Sequence, residues 1–447
     1  MSEEIIQPTE TLDTANDLST ALLPGTFRPP TRHASFGLLV GLTLGNLSWL
    51  MVGIPILVLV LPTQIGQLDS THKVAILGTI LTLGGLAGVI TPPLSGAFSD
   101  RTTSRLGRRR PWMLAGALGV VIGLLLAALF PTVPVVAIAW ILANGAGSIL
   151  YAALTFVLPD RVPQQQRGTA SALVGLATPV SQVVGLILVT VILNSTRQST
   201  TTAYVALIVF IIVVAGGFIL FYREPQLPKE ATPPFRLGAF LKGFWVSPRT
   251  SPDFAYAWIT RFLMYLAFFI VASFNLYYLT DVIHYAQIFP GQTAAEGLTI
   301  FTGITTVCTI VATLLVGFVS DRFQRRKPFV MVASVIVGLG LLTLGVVHTW
   351  PAVVVAAIFQ GTGFGAYTTV DLALITQVLP RFEMQGRDLG VMVISVTIAQ
   401  FIAPSVGAVI LSLFAANVVA GYSTLYLVAA FLALLATVLV LPIKSVR

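Results

Sequence analysis

The chain has 447 residues and a formal net charge of +8, with 56% hydrophobic residues, only 9% charged ones and a mean hydropathy of +0.90. Soluble domains carry about 25% charged residues, so this mixture cannot cover a water-soluble surface and describes an integral membrane protein. The positive charge does not point to nucleic acid, because the basic residues sit in short loops between apolar runs, the pattern of a face beside anionic lipid. Those runs exceed the roughly 18 residues that mark a spanning helix and lack the ~10-residue alternation of a transmembrane barrel. The one cysteine, Cys308, lies inside an apolar run; it reads as a small packing residue and can form no intrachain disulfide or cysteine metal site.

Residues 1–35 are polar, carry the acids Glu3, Glu4, Glu10, Asp13 and Asp17, and are expected to be a disordered tail rather than a signal peptide. Twelve apolar segments follow, near 36–61, 74–98, 111–131, 133–158, 169–194, 202–222, 255–281, 295–319, 328–349, 351–379, 388–415 and 419–442. A proline-rich linker, 223–254, separates a first bundle of six (36–222) from a second (255–442), and 443–447 form a short tail. Nearly all Lys and Arg fall in the tails and the even-numbered loops; the odd-numbered loops hold only Lys73 and Arg197. Both termini are therefore expected to be cytoplasmic.

Two stretches repeat. GAFSDRTTSRLGRRRPW begins at Gly96 and sets Asp100 against Arg101, Arg105, Arg108, Arg109 and Arg110, with Gly107 before the triple arginine. GFVSDRFQRRKPF begins at Gly317 and sets Asp321 against Arg322, Arg325, Arg326 and Lys327. Asp100 and Asp321 are 221 residues apart, and Val157-Leu158-Pro159 recurs at the same offset as Val378-Leu379-Pro380. Two anchors at one offset indicate duplication of a whole half. The expected fold is an all-α polytopic membrane protein of twelve transmembrane helices in two pseudo-symmetric six-helix bundles. Each acid sits where a helix leaves the bilayer, where it can pair with the following arginines or cap a helix. Asp160, ending the fourth segment, is a further partner for Arg108–Arg110. One reading is a conformational latch that breaks when the halves rock apart; the other is a plain positive-inside anchor.

Only Asp371 and Arg261 lie well inside apolar segments, the tenth and seventh, and both fall toward the basic face. The two can meet at one depth, where Asp371 either accepts a proton or is held in a permanent salt bridge. Polar residues collect on single helix faces: Asn46 and Trp49; Asn144, Ser148 and Tyr151; Gln182 beside Thr178 and Ser181; Asn275 and Tyr278; Gln360 and Tyr367 with Asp371; and Gln400. Converging amides and hydroxyls, with Trp49 or Tyr367 supplying a ring face, suit a neutral polyol; each residue alone is also an ordinary interhelical hydrogen-bonding group.

The duplicated GxxxDR loops resemble the major facilitator superfamily. SDRTTSRLGRRRPW, LPDRVPQQQRG (158–168) and DLALITQVLP (371–380) look like the sucrose:proton and glycoside–pentoside–hexuronide:cation symporters, over about residues 36–442. The resemblance implies alternating access, a cavity lined by the first, fourth, seventh and tenth helices, a small-molecule sugar substrate and a proton gradient, with no bound cofactor, as the energy source. It implies a latch role for the loop residues above. The first half departs from the pattern, since its spanning segments contain no acid where melibiose-type carriers hold a cation, and Val157 stands where plant sucrose carriers have an acid. The expectation is a multi-pass plasma-membrane carrier, acting as a monomer, probing sugars rather than nucleic acid. Export of drugs or metabolites is the alternative, although NGAGSILYAA and GLATPVSQVVG lack the RxxQG and GPxxGG stretches of such exporters. A receptor on a carrier scaffold is a third. An ATP-driven pump and an enzyme are not expected: there is no GxxxxGK[ST] loop and no nucleophile–base pair in the bilayer.

Overall fold

The computed structural model describes residues 33–222, 224, 252–323, 326–378 and 385–443. The tail 1–32, nearly all of the linker, Arg325, Leu379-Pro380 and 444–447 lie outside the described residues. Among the described residues, twelve helices are long and apolar enough to cross a membrane. They are α1 (Phe36–Leu68), α2 (Lys73–Ser99), α3 (Arg110–Leu129), α4 (Val133–Arg161), α5 (Arg167–Ser195), α6 (Thr200–Phe221), α7 (Pro252–Ala272), α8 (Ala294–Phe323), α9 (Lys327–Val346), α10 (Trp350–Val378), α11 (Gln385–Leu413) and α12 (Val418–Leu439). A helix satisfies its backbone N–H and C=O groups internally, which hydrocarbon demands. Apolar side chains left exposed on them, such as Val213, Leu314 and Phe431, suit contact with lipid.

Two boundaries differ from expectation. α1 runs on to Leu68 rather than stopping near 61, because a π-helical turn, Ile56–Val60, carries it through Pro62. The seventh segment is broken after Ala272, and a separate short helix, Asn275–Asp281, completes the crossing.

The packing repeats with a shift of six. In the first half α4 packs on α2 and α3, and α6 on α3 and α1; in the second α10 packs on α8 and α9, and α12 on α9 and α7. The halves meet along α2 with α11 and α5 with α8, pairings that interchange when the halves are swapped. This is the duplication seen in the sequence, expressed as contacts. Close approach relies on missing side chains: a Cβ on Gly361 or Gly365 of α10 would lie 2.3 or 2.4 Å from backbone oxygens of α8.

Candidate functional site

Arg261 of α7 and Asp371 of α10 are in contact: Arg261 Nη1 donates to Asp371 Oδ2. Tyr367 OH donates to Asp371 Oδ1 at 3.3 Å, and the Arg261 guanidinium lies 5.4 Å from the centre of the Tyr265 ring. Asp371 and Tyr367 are buried, and the buried Nε of Arg261 has no hydrogen-bond partner among the described residues. An aromatic wall continues from this pair. Tyr265 meets Phe364 edge-on at 5.4 Å and Tyr367 at 6.4 Å, and Phe268 stacks on Phe364 at 4.3 Å. Sequence reasoning missed Tyr265, Phe268 and Phe364, although helical spacing could have found them. Arg261, Tyr265 and Phe268 follow at i, i+4 and i+7, and Phe364, Tyr367 and Asp371 at i, i+3 and i+7, so each set lies on one face.

In the first half Asn46 is buried; its Oδ1 accepts from Thr155 OH at 3.1 Å and its Nδ2 donates to Leu42 O at 2.8 Å. Tyr151 is half-buried one turn before Thr155, which is exposed and was not anticipated. Other residues expected to line a cavity are spent elsewhere. Trp49 offers no free ring face: it fills the space left by Gly147, where a Cβ would come within 2.4 Å of the indole. Asn144 Nδ2 donates to Gly84 O at 2.7 Å, and Ser148 lies against Gly88, so both tie α4 to α2. Gln182 accepts from Thr306 OH at 3.4 Å, joining α5 to α8. Asn275 and Tyr278 belong to a cluster at the end remote from the basic loops: Tyr426 OH donates to Asn275 Oδ1 at 3.1 Å, and Tyr278 OH is 3.3 Å from His348 Nδ1. Burial depresses the His348 pKa, because a charged imidazolium there would lose hydration. Gln360 is buried against Gly340 with Nε2 unpartnered among the described residues, and Gln400 is exposed.

The basic loop forms a network inside the first half. Arg109 forms an ion pair with Asp100 at 2.7 Å and donates to Asp160 through Nε at 3.3 Å and to Ser99 Oγ at 3.1 Å, and its guanidinium lies 4.9 Å from the Phe156 ring centre. Arg108 pairs with Asp160 and stands 3.8 Å from Asp100. Gly107 has φ +96°, a left-handed turn that brings the arginines back under the helix ends. Glu224, missed in the sequence because it lies just beyond α6, accepts from Arg109 N at 2.6 Å. Arg110 reaches Leu220 O of α6 at 3.4 Å, Arg101 bonds Ala97 O of its own α2, and a Cβ on Gly96 would meet Phe156 at 3.2 Å. These pairs tie α2, α4 and the end of α6 together, because the 2–3 loop folds back onto its own bundle. Asp160→Asn removes the negative charge shared by two arginines and is expected to cost about 1.5–3 kcal/mol, read as a lower melting temperature in detergent.

In the second half Arg326 donates to Ser320 Oγ at 2.8 Å, while Lys327 bonds Leu441 O and Ile443 O beyond α12. Arg322 is exposed, Gly317 approaches Thr369, and the Asp321 side chain, like Arg325, lies outside the described residues.

Two similar bundles, meeting along paired helices beside a buried charge pair and an aromatic wall, define the scaffold of a membrane carrier. The chain belongs to the Major Facilitator Superfamily, whose model matches residues 36–304 and 291–446. That is a family of transporters, not of enzymes. It is similar to the human (Homo sapiens) proton-associated sugar transporter A, 39% identical over 61 residues, which are 14% of this chain and 8% of that one. The stretches matched in such curated relatives span 8 to 22% of the relatives' lengths. The solved structure of a D-xylose–proton symporter has a TM-score of 0.69 at 16% identity, covering 92% of this chain and 98% of that one. That of the nucleoside transporter NupG has a TM-score of 0.72 at 14% identity, covering 91% and 99%. At such identities these two likenesses show the fold.

Proposed function

We propose that the chain is a secondary carrier of the plasma membrane, its termini cytoplasmic, that works by alternating access and moves a sugar or glycoside together with protons. The observation that carries this reading is the Arg261–Asp371–Tyr367 cluster, set against the Tyr265–Phe268–Phe364 wall on α7 and α10. An intramembrane carboxylate costs too much to be incidental. When Asp371 takes a proton, Arg261 loses its counter-charge, and its guanidinium N–H groups turn to substrate hydroxyls. When the proton leaves, the pair re-forms and competes with substrate. The aromatic wall presents apolar faces to a sugar ring, and Thr155 with Asn46 offers polar groups from the first half. The likeness to the human proton-associated sugar transporter A and to the D-xylose–proton symporter supports this choice.

Purified protein in liposomes, given radiolabelled mono- and disaccharides under an imposed pH gradient, tests it. Accumulation of a sugar that stops when the gradient is collapsed is the expected result. No sugar uptake, with a cationic drug or a nucleoside moved instead, overturns it in favour of export or of another solute.

A further inference from the structure

Lys73 and Asp281 form an ion pair of 2.6 Å that joins the two halves at the end remote from the basic loops. Each charge is misplaced in its own half. Lys73 is the first residue of α2, where unpaired N–H groups already make the helix end positive. It is also one of two basic residues in the outer loops, against the bias that keeps them on the other face. Asp281 is the last residue of the helix Asn275–Asp281, where unpaired carbonyls make the end negative. A helix start prefers an acid and a helix end a base, so the two charges are reversed with respect to both helices. What offsets the reversal is their mutual contact. It is only about one-fifth exposed, at 20% and 21%, so water screens it weakly.

Tyr277 completes the joint. It precedes Asp281 by four residues and shares its helix face. The Lys73 ammonium lies 4.8 Å from its ring centre, and its OH donates to Pro62 O of α1 at 2.8 Å. One turn of the second half thus grips two helices of the first. Contacts that do not pair opposite charges continue the seam inward: the Asn194 amide with the Glu296 carboxylate, Thr190 with Thr299 at 2.8 Å and Thr82 with Ser405 at 2.7 Å. In each of these at least one partner is an uncharged hydroxyl or amide, whose place water can take. The Lys73–Asp281 pair differs, because parting leaves each charge alone at the helix end that disfavours it.

We propose that Lys73 and Asp281, seated on Tyr277, are the electrostatic latch that holds the outer gate shut and sets the resting balance toward the state open on the basic face. This rests on the rocking part of the proposed function and is independent of the substrate and of the coupling ion. The latch acts through differential stability: it is made in one state and lost in the other.

The test uses the full chain in lipid nanodiscs, with spin labels on Ser70→Cys and Gln287→Cys in a Cys308→Ser background; positions 70 and 287 are exposed on opposite halves at the outer end. Lys73→Asp places two acids together and is expected to raise the ratio of long to short inter-label distances at least about tenfold, a shift of ~1.4 kcal/mol. Lys73→Gln should shift it less. The exchange Lys73→Asp/Asp281→Lys restores the pair and puts each charge at the end its helix favours, so it should return the short distance, at least as fully as in the unmodified chain. If the single variant leaves the distribution unchanged, or the folded exchange variant fails to restore it, the latch is wrong. Should Lys73→Asp not fold, the exchange variant and Lys73→Gln still decide. A single distance in every protein, the unmodified one included, would instead remove the rocking motion itself.

Discussion

Asp371→Asn is expected to lower sugar accumulation driven by a pH gradient by more than about tenfold while leaving exchange of labelled for unlabelled sugar intact. The amide keeps the shape, and its single oxygen can still accept from Arg261 while its NH2 donates to the Tyr367 oxygen, but it cannot give up or take a proton. Unchanged pH-dependent accumulation would take Asp371 out of the coupling step. A companion set separates chemistry from architecture. Arg261→Ala leaves Asp371 as a buried carboxylate without its cation and should cost about 3–5 kcal/mol of stability. Replacing both, as Arg261→Met/Asp371→Leu, removes the two charges together and should be near neutral for stability. If the pair is purely a structural bridge, that double variant transports normally. If the pair couples protons to sugar, the double variant is stable, folded and uncoupled, and melting curves read beside liposome uptake tell the two apart.

The second large effect is expected where α10 presses on α8. Gly361 and Gly365 are four residues apart, and the hydroxyls of Thr309 and Thr313 donate to their carbonyl oxygens at 3.1 and 3.3 Å. Adding a Cβ at Gly361→Ala or Gly365→Ala drives α8 outward by more than a side-chain rotation can absorb, since the obstacle is backbone. The overpacking costs about 1–3 kcal/mol, against a gain of up to ~1 kcal/mol in helix propensity. Both variants should melt at lower temperature in detergent. Gly216→Ala, where nothing lies within 4 Å, keeps the propensity gain without the clash and should not melt lower. If all three behave alike, the close contact of α10 with α8 carries no stability. Shifting α10 also moves Tyr367 and Asp371, so a fall in uptake should accompany the lower melting temperature.

Much of the architecture was legible because the bilayer leaves so few choices. Runs of apolar residues must become helices, and the positions of arginine and lysine distinguish the two faces. The contact between Arg261 and Asp371 also followed from reasoning about depth: two ionisable groups at one level of the hydrocarbon have strong cause to meet. Other site residues were harder to read. Trp49, Asn144 and Tyr278 carry the chemistry of a binding pocket, yet each is absorbed by a neighbour distant in the sequence: Gly147, Gly84 and, in the loop between α9 and α10, His348. A sequence shows which residues share a helix face, whereas whether that face meets a ligand or a glycine depends on the neighbouring helix. The aromatic wall went unseen for the opposite reason. Phenylalanine in an apolar run looks like lipid-facing bulk until its stripe is seen to continue from a charge.

By itself the sequence determined that this protein spans a membrane twelve times, that its two halves are copies, and which loops are basic, because hydropathy, repetition and charge are properties of the chain read in one dimension. The tertiary structure alone decided that Glu224 and the end of α6 join the arginine network, that α7 breaks after Ala272, and that Lys73 finds Asp281 across the seam 208 residues away. Those outcomes depend on which helices become neighbours, and that is settled by packing small residues against backbone, where differences of an ångström choose the partner.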